Sequence, residues 1–371
     1  MEWSPQQDAA LKAVSAWLRD PAAPQVFRLF GWAGTGKSTL AVHLAQDVKK
    51  VCYGAFTGKA SLVMRKRGCT GASTIHSLIY SIVKEEAGEP KFQLNEDSAV
   101  RYADLVVIDE VSMVDERLGR DLMSFGTKIL VLGDPFQLPP VRAKDGEGFF
   151  TNAEPDIMLT EIHRQAADNP IIRMSMDIRN GEGLAYGTYG DSRVISRRDV
   201  EAADILGADQ LIVGKNATRT NYNRRMRELK DIDSTLPIVG ERVICLRNNH
   251  QKHLLNGQMW FTKEVRASKR TPGGITMLLD PDDAGNRTNL DVKVTTHQRF
   301  FDGKEDEFKD WNERRVFDEF TYGYCVTTHK AQGSQWDNVY LFDESFVFRE
   351  DAARWLYTGV TRAAERITVA R

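Results

Sequence analysis

A glycine-rich segment near the N-terminus has the residue types and spacing of a phosphate-binding loop. Gly31 to Ser38 reads GWAGTGKS, directly after a strand-like run and directly before a helix-like one. Glycines permit a tight loop whose backbone N–H groups point at phosphate, a lysine neutralises the β- and γ-phosphate charge, and a serine hydroxyl can ligate Mg²⁺. This context disfavours an ordinary glycine turn. The segment predicts a nucleoside triphosphate site formed by Gly34, Thr35, Gly36, Lys37, Ser38 and Thr39.

Two adjacent carboxylates follow the strand-like run LVVI at residues 105–108. We expect Asp109 to hold Mg²⁺ together with Ser38, and Glu110 to orient or deprotonate the attacking water. An acidic pair after a strand is weak support by itself, but it is strong beside a phosphate-binding loop. The combination still leaves open kinases, GTPases, transporters and motors.

Three more side chains have the chemistry of a phosphate sensor or an arginine finger. Gln137, in the run LGDPFQLPP, follows the neighbouring strand and is suited to hydrogen-bond a γ-phosphate and report its loss. Arg164, in TEIHRQ, and Arg362, in LYTGVTRA, could converge on one phosphate from different domains. Such arginines increase phosphoryl-transfer rates by about 10³ to 10⁵. A lone arginine, by contrast, is normally a solvated surface charge.

Gln7 has two interpretations. The run Ser4-Pro5-Gln6-Gln7 has the form of a helix start, with serine as N-cap, proline at the first helical position and glutamine at the third. Such a capping box explains Gln7 without any ligand. Recognition of an adenine base is the alternative.

The elements that must position these side chains alternate in type. Over the first 165 residues strand-like runs alternate with helix-like stretches, which indicates a parallel sheet with binding loops at the carboxyl ends of its strands. A second such set lies near the C-terminus, and residues 237–320 hold short strands and turns. We expect an α/β fold with two parallel-sheet domains and a small all-β insert in the second. The strand-like runs are 26–30, 51–56, 105–108, 128–132, 211–214, 322–327, 338–342 and 367–370.

The composition argues against several classes of protein. The 371 residues include 50 basic and 52 acidic side chains, so the net charge of −2 disfavours a globally basic nucleic-acid binder but permits a local basic groove. No apolar run is long enough to span a bilayer, and the N-terminus lacks the pattern of a signal peptide. The four cysteines are dispersed, which predicts neither disulfides nor a zinc site and fits a reducing cytoplasm.

Five ordered strings make the motif set specific. GWAGTGKST, VVIDEVSMV, GDPFQLPPV, THKAQGSQWDNV and LYTGVTRA resemble the motifs of the superfamily 1 helicases, in the RecD/Dda branch with the Pif-type helicases as near relatives. The resemblance implies two RecA-like motor lobes with ATP between them and a small barrel of Src-homology-3 type. We place the first lobe at 1–165, the second at 166–236 and 321–371, and the barrel at 237–320.

The resemblance also implies roles for single residues. Gln7 corresponds to an adenine contact, and Arg164 and Arg362 correspond to the γ-phosphate arginines. Gln335 lies where the family contacts the nucleotide ribose, although the family often has glutamate there. The implied cofactors are ATP and Mg²⁺. The family's direction is 5′→3′ on single-stranded DNA, and nothing in the residues themselves derives that direction.

Two loops carry hydroxyls, a lysine and a histidine that suit DNA phosphates without reading sequence. Similar loops on two lobes could grip one strand at two points. Their residues are Thr57, Lys59 and His76 in the first lobe, and Thr328, His329 and Lys330 in the second.

Local charge favours a basic track. Residues 215–230 and 240–272 each carry a net charge of +5, whereas residues 302–319 carry −4. A solvated face is the alternative for any one of these runs. Trp260 and Phe261 fall on alternate faces of a strand-like run, so at least one is expected in the core instead of stacking on a base.

The polar segment 84–99 is either a surface loop or a functional hairpin. Relatives carry a hairpin that splits the duplex at this position, and Phe92 is the only aromatic residue of the segment. We therefore predict that Phe92 separates the strands.

These observations together predict a monomeric ATP-dependent DNA helicase that acts on single-stranded DNA and on single-strand/duplex junctions. Replication or recombination proteins are its expected partners, and the bacterial or phage-infected host cytoplasm is its expected location. One alternative is a single-strand-stimulated ATPase or translocase that remodels protein–nucleic-acid complexes without unwinding. The other is a Mg²⁺-dependent nuclease, since Asp282, Asp291 and Lys293 loosely fit a nuclease pattern, although this span is short and DPDDAGN reads as a turn.

Overall fold

The structure, a computed structural model, describes residues 3–83, 91–140, 147–161, 169–252, 254–269, 271–282 and 291–371. These residues form two compact units. The first holds the described residues up to Gly183 together with Ala353–Thr361, and the second holds Leu184–Ala352 and Arg362–Arg371. The first unit thus extends past the predicted boundary at residue 165, because the helix Pro170–Arg179 packs within it and sets Arg179 over the Trp32 ring.

The first unit is built on a parallel sheet of six strands in the order β3-β2-β6-β7-β1-β8. The two central strands β6 and β7 are buried along their whole length, and alternate residues pack into two different apolar clusters. This two-sided burial explains why both read as continuous apolar runs. The strands are β1 Val26–Gly31, β2 Val51–Ala55, β3 Ser73–Thr74, β6 Leu105–Asp109, β7 Ile129–Gly133 and β8 Ile157–Leu159.

Helices connect these strands, and a hairpin interrupts them. The predicted capping box at Ser4 and Gln7 is present at the start of the first helix. The hairpin pairs β4 Tyr80–Val83 with β5 Lys91–Leu94 in antiparallel register, so it starts before residue 84; residues 84–90 lie outside the described part of the chain. The helices are α1 Pro5–Arg19, α2 Lys37–Leu44, α3 Gly58–Lys66, α4 Ile75–Ile79, α5 Glu116–Met123 and α6 Pro170–Arg179.

The second unit has its own six-stranded sheet, in the order β17-β11-β18-β19-β10-β9. All neighbouring pairs are parallel except β9 with β10. The predicted strands 211–214, 338–342 and 367–370 join this one sheet, as expected, and so does the second half of the predicted strand 322–327. The strands are β9 Gly187–Tyr189, β10 Ser192–Ile195, β11 Gln210–Val213, β17 Cys325–Thr327, β18 Trp336–Phe342 and β19 Ala363–Ala370.

An antiparallel sheet occupies the region predicted to be all-β. Its five strands follow the order β15-β14-β13-β12-β16. Trp260 lies in its apolar cluster and Phe261 is exposed, which confirms that one of the two is a core residue. The strands are β12 Arg242–Cys245, β13 Met259–Ala267, β14 Gly274–Pro281, β15 Val292–His297 and β16 Phe320–Tyr322.

The predicted strand over 322–327 is two strands, because β16 pairs with β12 and β17 pairs with β11.

None of the helices that the structure describes is long and apolar enough to cross a bilayer. The four cysteines are free thiols. The remaining helices are α7 Ala202–Leu206, α8 Asn216–Leu229, α9 Gln298–Asp302, α10 Trp311–Arg315, α11 Thr328–Ala331 and α12 Ala352–Val360.

Candidate nucleotide site and nucleic-acid-facing loops

The phosphate-binding loop joins β1 to α2, as its spacing predicts. Gly34 and Gly36 both have positive φ, 81° and 79°, a conformation that costs glycine nothing. The ammonium of Lys37 donates to the carbonyls of Gly31 at 2.6 Å and Trp32 at 2.9 Å. The lysine is therefore folded over its own loop, where an incoming phosphate would compete with these carbonyls for its protons.

Three polar segments of the first unit share one sheet edge. β6, β7 and β1 are consecutive in the sheet and parallel, so the segments that follow them emerge at the same edge. Asp109 and Glu110 end β6, the Asp134–Gln137 loop follows β7, and the phosphate-binding loop follows β1. This edge brings together the predicted phosphate ligands, the acidic pair and Gln137.

The acidic pair has an unusual backbone. Asp109 is buried, and its Oδ1 accepts from the backbone N–H of Glu110 at 2.9 Å. Glu110 is left-handed, with φ 56° and ψ 47°. Glutamate adopts this region at a cost of about 1–2 kcal/mol, and such outliers concentrate at functional sites.

Gln137 is held in a tight loop. Asp134 accepts from the N–H of Phe136 through its side chain and from the N–H of Gln137 through its carbonyl. The Oε1 atom of Gln137 is buried and has no hydrogen-bond partner among the described residues. An unpaired buried acceptor is costly, so this atom is available to accept a hydrogen bond from a bound water or a ligand donor.

Helix α12, which ends shortly before Arg362 in the LYTGVTRA string, contributes two more residues to the first unit. The hydroxyl of Tyr357 donates to Oδ2 of Asp134 at 2.5 Å and accepts from the N–H of Ala33 in the phosphate-binding loop at 3.0 Å. The hydroxyl of Thr358 accepts from the N–H of Leu138 at 2.9 Å. Burial, with Asp134 beside it, holds the pKa of Tyr357 well above its usual value. Tyr357 thus links two loops of the candidate site.

Gln7 makes both the predicted cap and a contact to the phosphate-binding loop. Its Oε1 accepts from the Ser4 N–H at 3.1 Å, and its Nε2 donates to the Thr35 carbonyl at 3.1 Å. Its neighbour Gln6 was not predicted, yet its Oε1 accepts from the N–H groups of Thr160 and Glu161. Gln6 therefore anchors the chain just before Arg164, which itself lies outside the described residues.

The predicted DNA-facing residues of the first unit cluster where α3 and α4 begin. Thr57 caps α3 by accepting from the Ala60 N–H at 3.1 Å, and Lys59 follows it in the first turn. His76 lies in α4 beside the rings of Phe56 and Tyr80. Burial lowers the pKa of His76, which disfavours the charged form of its ring. The neutral ring can contact DNA by stacking or hydrogen bonding.

In the second unit one predicted phosphate ligand is turned inward. Thr328 is fully buried, and its hydroxyl donates to the Val213 carbonyl at 3.3 Å, which ties β17 to β11 instead of reaching a phosphate. Lys330 donates to the Asn256 side chain at 2.8 Å, and burial lowers the pKa of Lys330. The ring of His329 lies 5.7 Å from that of Phe348, and burial lowers its pKa as well.

Two predicted nucleotide contacts also lie in the second unit. The guanidinium of Arg362 is buried and donates to the Ser334 carbonyl at 3.3 Å. Gln335 is exposed and donates to the Ala363 carbonyl at 3.4 Å. The structure thus brings the GSQWD and TRA segments together within this unit.

Both carboxylates of the nuclease alternative are engaged in ion pairs. Asp282 pairs with Arg242, and Asp291 pairs with Lys263 at 2.6 Å. Lys263 also lies 3.7 Å from Asp280, so the carboxylates of this sheet sit in surface ion pairs. The geometry gives no support to a nuclease centre.

Comparison with known proteins agrees with the motifs. The model of a family described as an AAA domain matches residues 2–199, more than half of the chain, and a model described as a UvrD-like helicase C-terminal domain matches residues 322–370. The chain belongs to the AAA-domain family. Its relatives include RecD2, Dda and Pif1 helicases, which agrees with the branch that the strings resemble.

Two curated relatives match most of this AAA-domain chain. The ATP-dependent RecD2 DNA helicase of Deinococcus radiodurans is 27% identical over 91% of the chain and 46% of its own length. The ATP-dependent DNA helicase dda of Enterobacteria phage T4 is 24% identical over 90% of the chain and 91% of its own length. The chain thus spans about half the length of the first relative and most of the second.

A solved structure shares the fold. The Pif1 helicase from Bacteroides, solved in complex with ADP-AlF3 and ssDNA, superposes on the whole chain and on 93% of its own length with a TM-score of 0.57 at 20% identity. The α/β architecture with parallel sheets is therefore that of the RecA-like domains of Pif1 helicases.

Proposed function

We propose that this protein is an ATP-dependent DNA helicase that moves 5′→3′ on single-stranded DNA and unwinds duplex at single-strand/duplex junctions. The observation that carries the proposal is the single sheet edge of the first unit, which holds the phosphate-binding loop, the Asp109–Glu110 pair and the Gln137 loop. The helicase names of the relatives support the activity, and the direction is the one that the family resemblance implies.

In the proposed site each residue has one task. Lys37 and the loop N–H groups neutralise the triphosphate, Glu110 orients or deprotonates the attacking water, and Gln137 senses the γ-phosphate. The Ser38 hydroxyl and the Asp109 carboxylate are oxygen ligands of the kind that Mg²⁺ prefers beside phosphates, so they fit this ion. When bound, Mg²⁺ would neutralise the charge on the phosphate oxygens.

Several finer assignments belong to the same proposal. Arg164 and Arg362 act on the γ-phosphate, Gln7 contacts adenine and Gln335 contacts ribose. The five-stranded antiparallel sheet is an accessory barrel of Src-homology-3 type. The protein works as a monomer in the bacterial or phage-infected host cytoplasm, with replication or recombination proteins as partners.

A strand-displacement assay tests the proposal. Forks with a 5′ tail or a 3′ tail are mixed with the protein, ATP and Mg²⁺, and ATP hydrolysis is followed in parallel. We expect displacement only from the 5′-tailed fork, and we expect Lys37→Ala to abolish displacement and hydrolysis together. The control is Lys12→Ala, because Lys12 is an exposed residue of α1. Hydrolysis without displacement on either fork would favour a translocase that does not unwind.

The hairpin β4–β5 is proposed to split the duplex through Phe92. Its backbone places Phe92 on β5, opposite Ile82 of β4. Phe92→Ala is expected to slow displacement of the 5′-tailed fork while single-strand-stimulated hydrolysis continues. Equal displacement by the variant and the wild type would rule out this role.

A further inference from the structure

An exposed phenylalanine lies at the carboxyl edge of the second unit's sheet. β17, β11 and β18 are consecutive and parallel, so the segments that follow them emerge at one edge. These are the Thr328–Ala331 segment with His329, the Gly214–Lys215 turn, and the segment that begins at Asp343 and contains Phe346. Two of the proposed DNA contacts, His329 and Lys330, therefore lie at the same edge as Phe346.

The Phe346 side chain is 70% exposed, the highest value among the large apolar side chains of the described residues. The ammonium of Lys215 lies 6.0 Å from the centroid of its ring. Exposure of an aromatic face to water is unfavourable, so covering this side chain with a flat apolar partner would lower the free energy. The nearby cation favours a partner that also carries negative charge.

The segment that carries Phe346 is anchored on both sides. Glu344 is buried, and its Oε2 accepts from the N–H groups of Gly214 at 2.8 Å and Lys215 at 3.0 Å. Phe348 packs so closely on Gly214 that a Cβ there would lie 2.9 Å from its ring. Phe346 is therefore presented from a segment fixed to the Gly214–Lys215 turn.

The charge around this turn suits a phosphate backbone. The Lys215 side chain remains about half exposed although its ammonium lies 3.3 Å from Glu344. An ammonium has three donors, so one salt bridge leaves donors that can reach a phosphate. Aromatic faces beside basic side chains are the usual platform for single-stranded nucleic acid.

We propose that Phe346 is a stacking platform for one nucleobase of the single strand, and that Lys215 contacts the adjoining phosphate. The proposal deepens the proposed function, because it rests on the chain binding single-stranded DNA. It adds an aromatic residue to the DNA contacts of the second unit. The sequence predicted only a hydroxyl, a histidine and a lysine there, in Thr328, His329 and Lys330.

The test compares binding of oligothymidylate with binding of an abasic strand of the same length, measured by fluorescence anisotropy on the full chain. We expect Phe346→Ala to weaken the oligothymidylate Kd about tenfold and to leave the abasic Kd within twofold, because only the former strand can stack. Phe346→Trp is expected to retain binding. Lys215→Ala should weaken both strands and reduce the salt slope by about one.

The matched control is Tyr186→Ala. Tyr186 is an equally exposed aromatic residue that precedes β9, at the other end of the same sheet, and its loss should leave both Kd values unchanged. Thermal unfolding of each variant checks that it is folded.

Three outcomes would overturn the stacking site: an unchanged oligothymidylate Kd in Phe346→Ala, equal weakening on both strands, or the same effect in the Tyr186 control. If the wild-type chain binds and displaces DNA, these outcomes remove only the stacking site. If it binds no single-stranded DNA, the proposed function fails as well.

Discussion

The hydroxyl of Tyr357 lies 2.5 Å from Oδ2 of Asp134, across 223 residues of sequence. Both side chains are buried, and the same hydroxyl accepts from the Ala33 N–H of the phosphate-binding loop. The ring of Phe136 meets that of Tyr357 edge to face at 5.1 Å. One phenol therefore connects the loop that binds phosphate to the loop that carries Gln137.

Removing this hydroxyl should slow catalysis more than it weakens nucleotide binding. Tyr357→Phe keeps the ring but leaves the Asp134 carboxylate without this donor and the Ala33 N–H without this acceptor. A lost hydrogen bond to a buried charged group costs about 1.5–3 kcal/mol, so we expect kcat for ATP hydrolysis to fall about tenfold or more, with a smaller change in KM. Steady-state ATPase kinetics measure both constants.

The matched control is Tyr340→Phe, because the Tyr340 hydroxyl is buried with no hydrogen-bond partner among the described residues. Its removal should leave ATPase activity unchanged and should not lower stability. If Tyr357→Phe and Tyr340→Phe had the same kcat, the link through Asp134 would have no catalytic role.

Short sequence patterns were enough to predict the loops that form the nucleotide site. The phosphate-binding loop, the acidic pair and the Gln137 loop each follow an apolar strand, and parallel strands bring such segments to one edge without further information. The capping box at Ser4 and Gln7 is equally local.

Those patterns could not predict contacts between residues that are distant in sequence. Tyr357 and Asp134 meet only because α12 packs within the first unit, and the inward turn of Thr328 depends on its neighbour β11. The hairpin begins at Tyr80, four residues before the polar segment 84–99. The run YSIV at Tyr80–Val83 follows α4 directly, with no turn residue between them to indicate that a strand begins there. The positive φ of Glu110 has no sequence signature either, since glutamate rarely adopts it.

Glu110→Gln tests the role of the second carboxylate. Glutamine keeps the size and the hydrogen-bonding length of the side chain but cannot accept a proton from water. We expect kcat for hydrolysis to fall by about 10² to 10⁴, while binding of a fluorescent ATP analogue stays within a few-fold of wild type. Glu116→Gln, at an exposed position of α5, is the control. Retained hydrolysis in Glu110→Gln would assign the water-activating role to another group.

Breaking a buried ion pair should strongly destabilise the second unit. Arg227 of α8 donates to Glu241 at 2.8 Å, and Glu241 also accepts from the Ile238 N–H and the Tyr324 hydroxyl. Arg227→Leu leaves a buried carboxylate without its counter-charge, so we expect the free energy of unfolding to fall by about 3–5 kcal/mol. Urea unfolding measures the change.

The exposed pair of Lys12 and Asp8 is the comparison for this loss. Lys12→Ala should change the free energy of unfolding by less than about 1 kcal/mol, because solvent screens the pair. Similar losses for Lys12→Ala and Arg227→Leu would mean that burial adds nothing to the Arg227–Glu241 interaction.

Acidification should destabilise both units through their partly buried histidines. Burial lowers the pKa of His76 in the first unit and of His329 in the second below the ordinary value near 6.5, against the opposing effects of Asp115 and Asp351 respectively. Below about pH 6.5 the unfolded chain therefore binds protons that the folded chain does not. The stability that comes from the neutral histidines is complete above that pH. It is lost as the pH falls from about 6.5 towards the lowered pKa of the folded state. We expect the urea midpoint to decrease between pH 7 and pH 5.5, and His76→Gln to reduce the slope of that decrease. An unchanged slope in His76→Gln would contradict the explanation by burial of the imidazole.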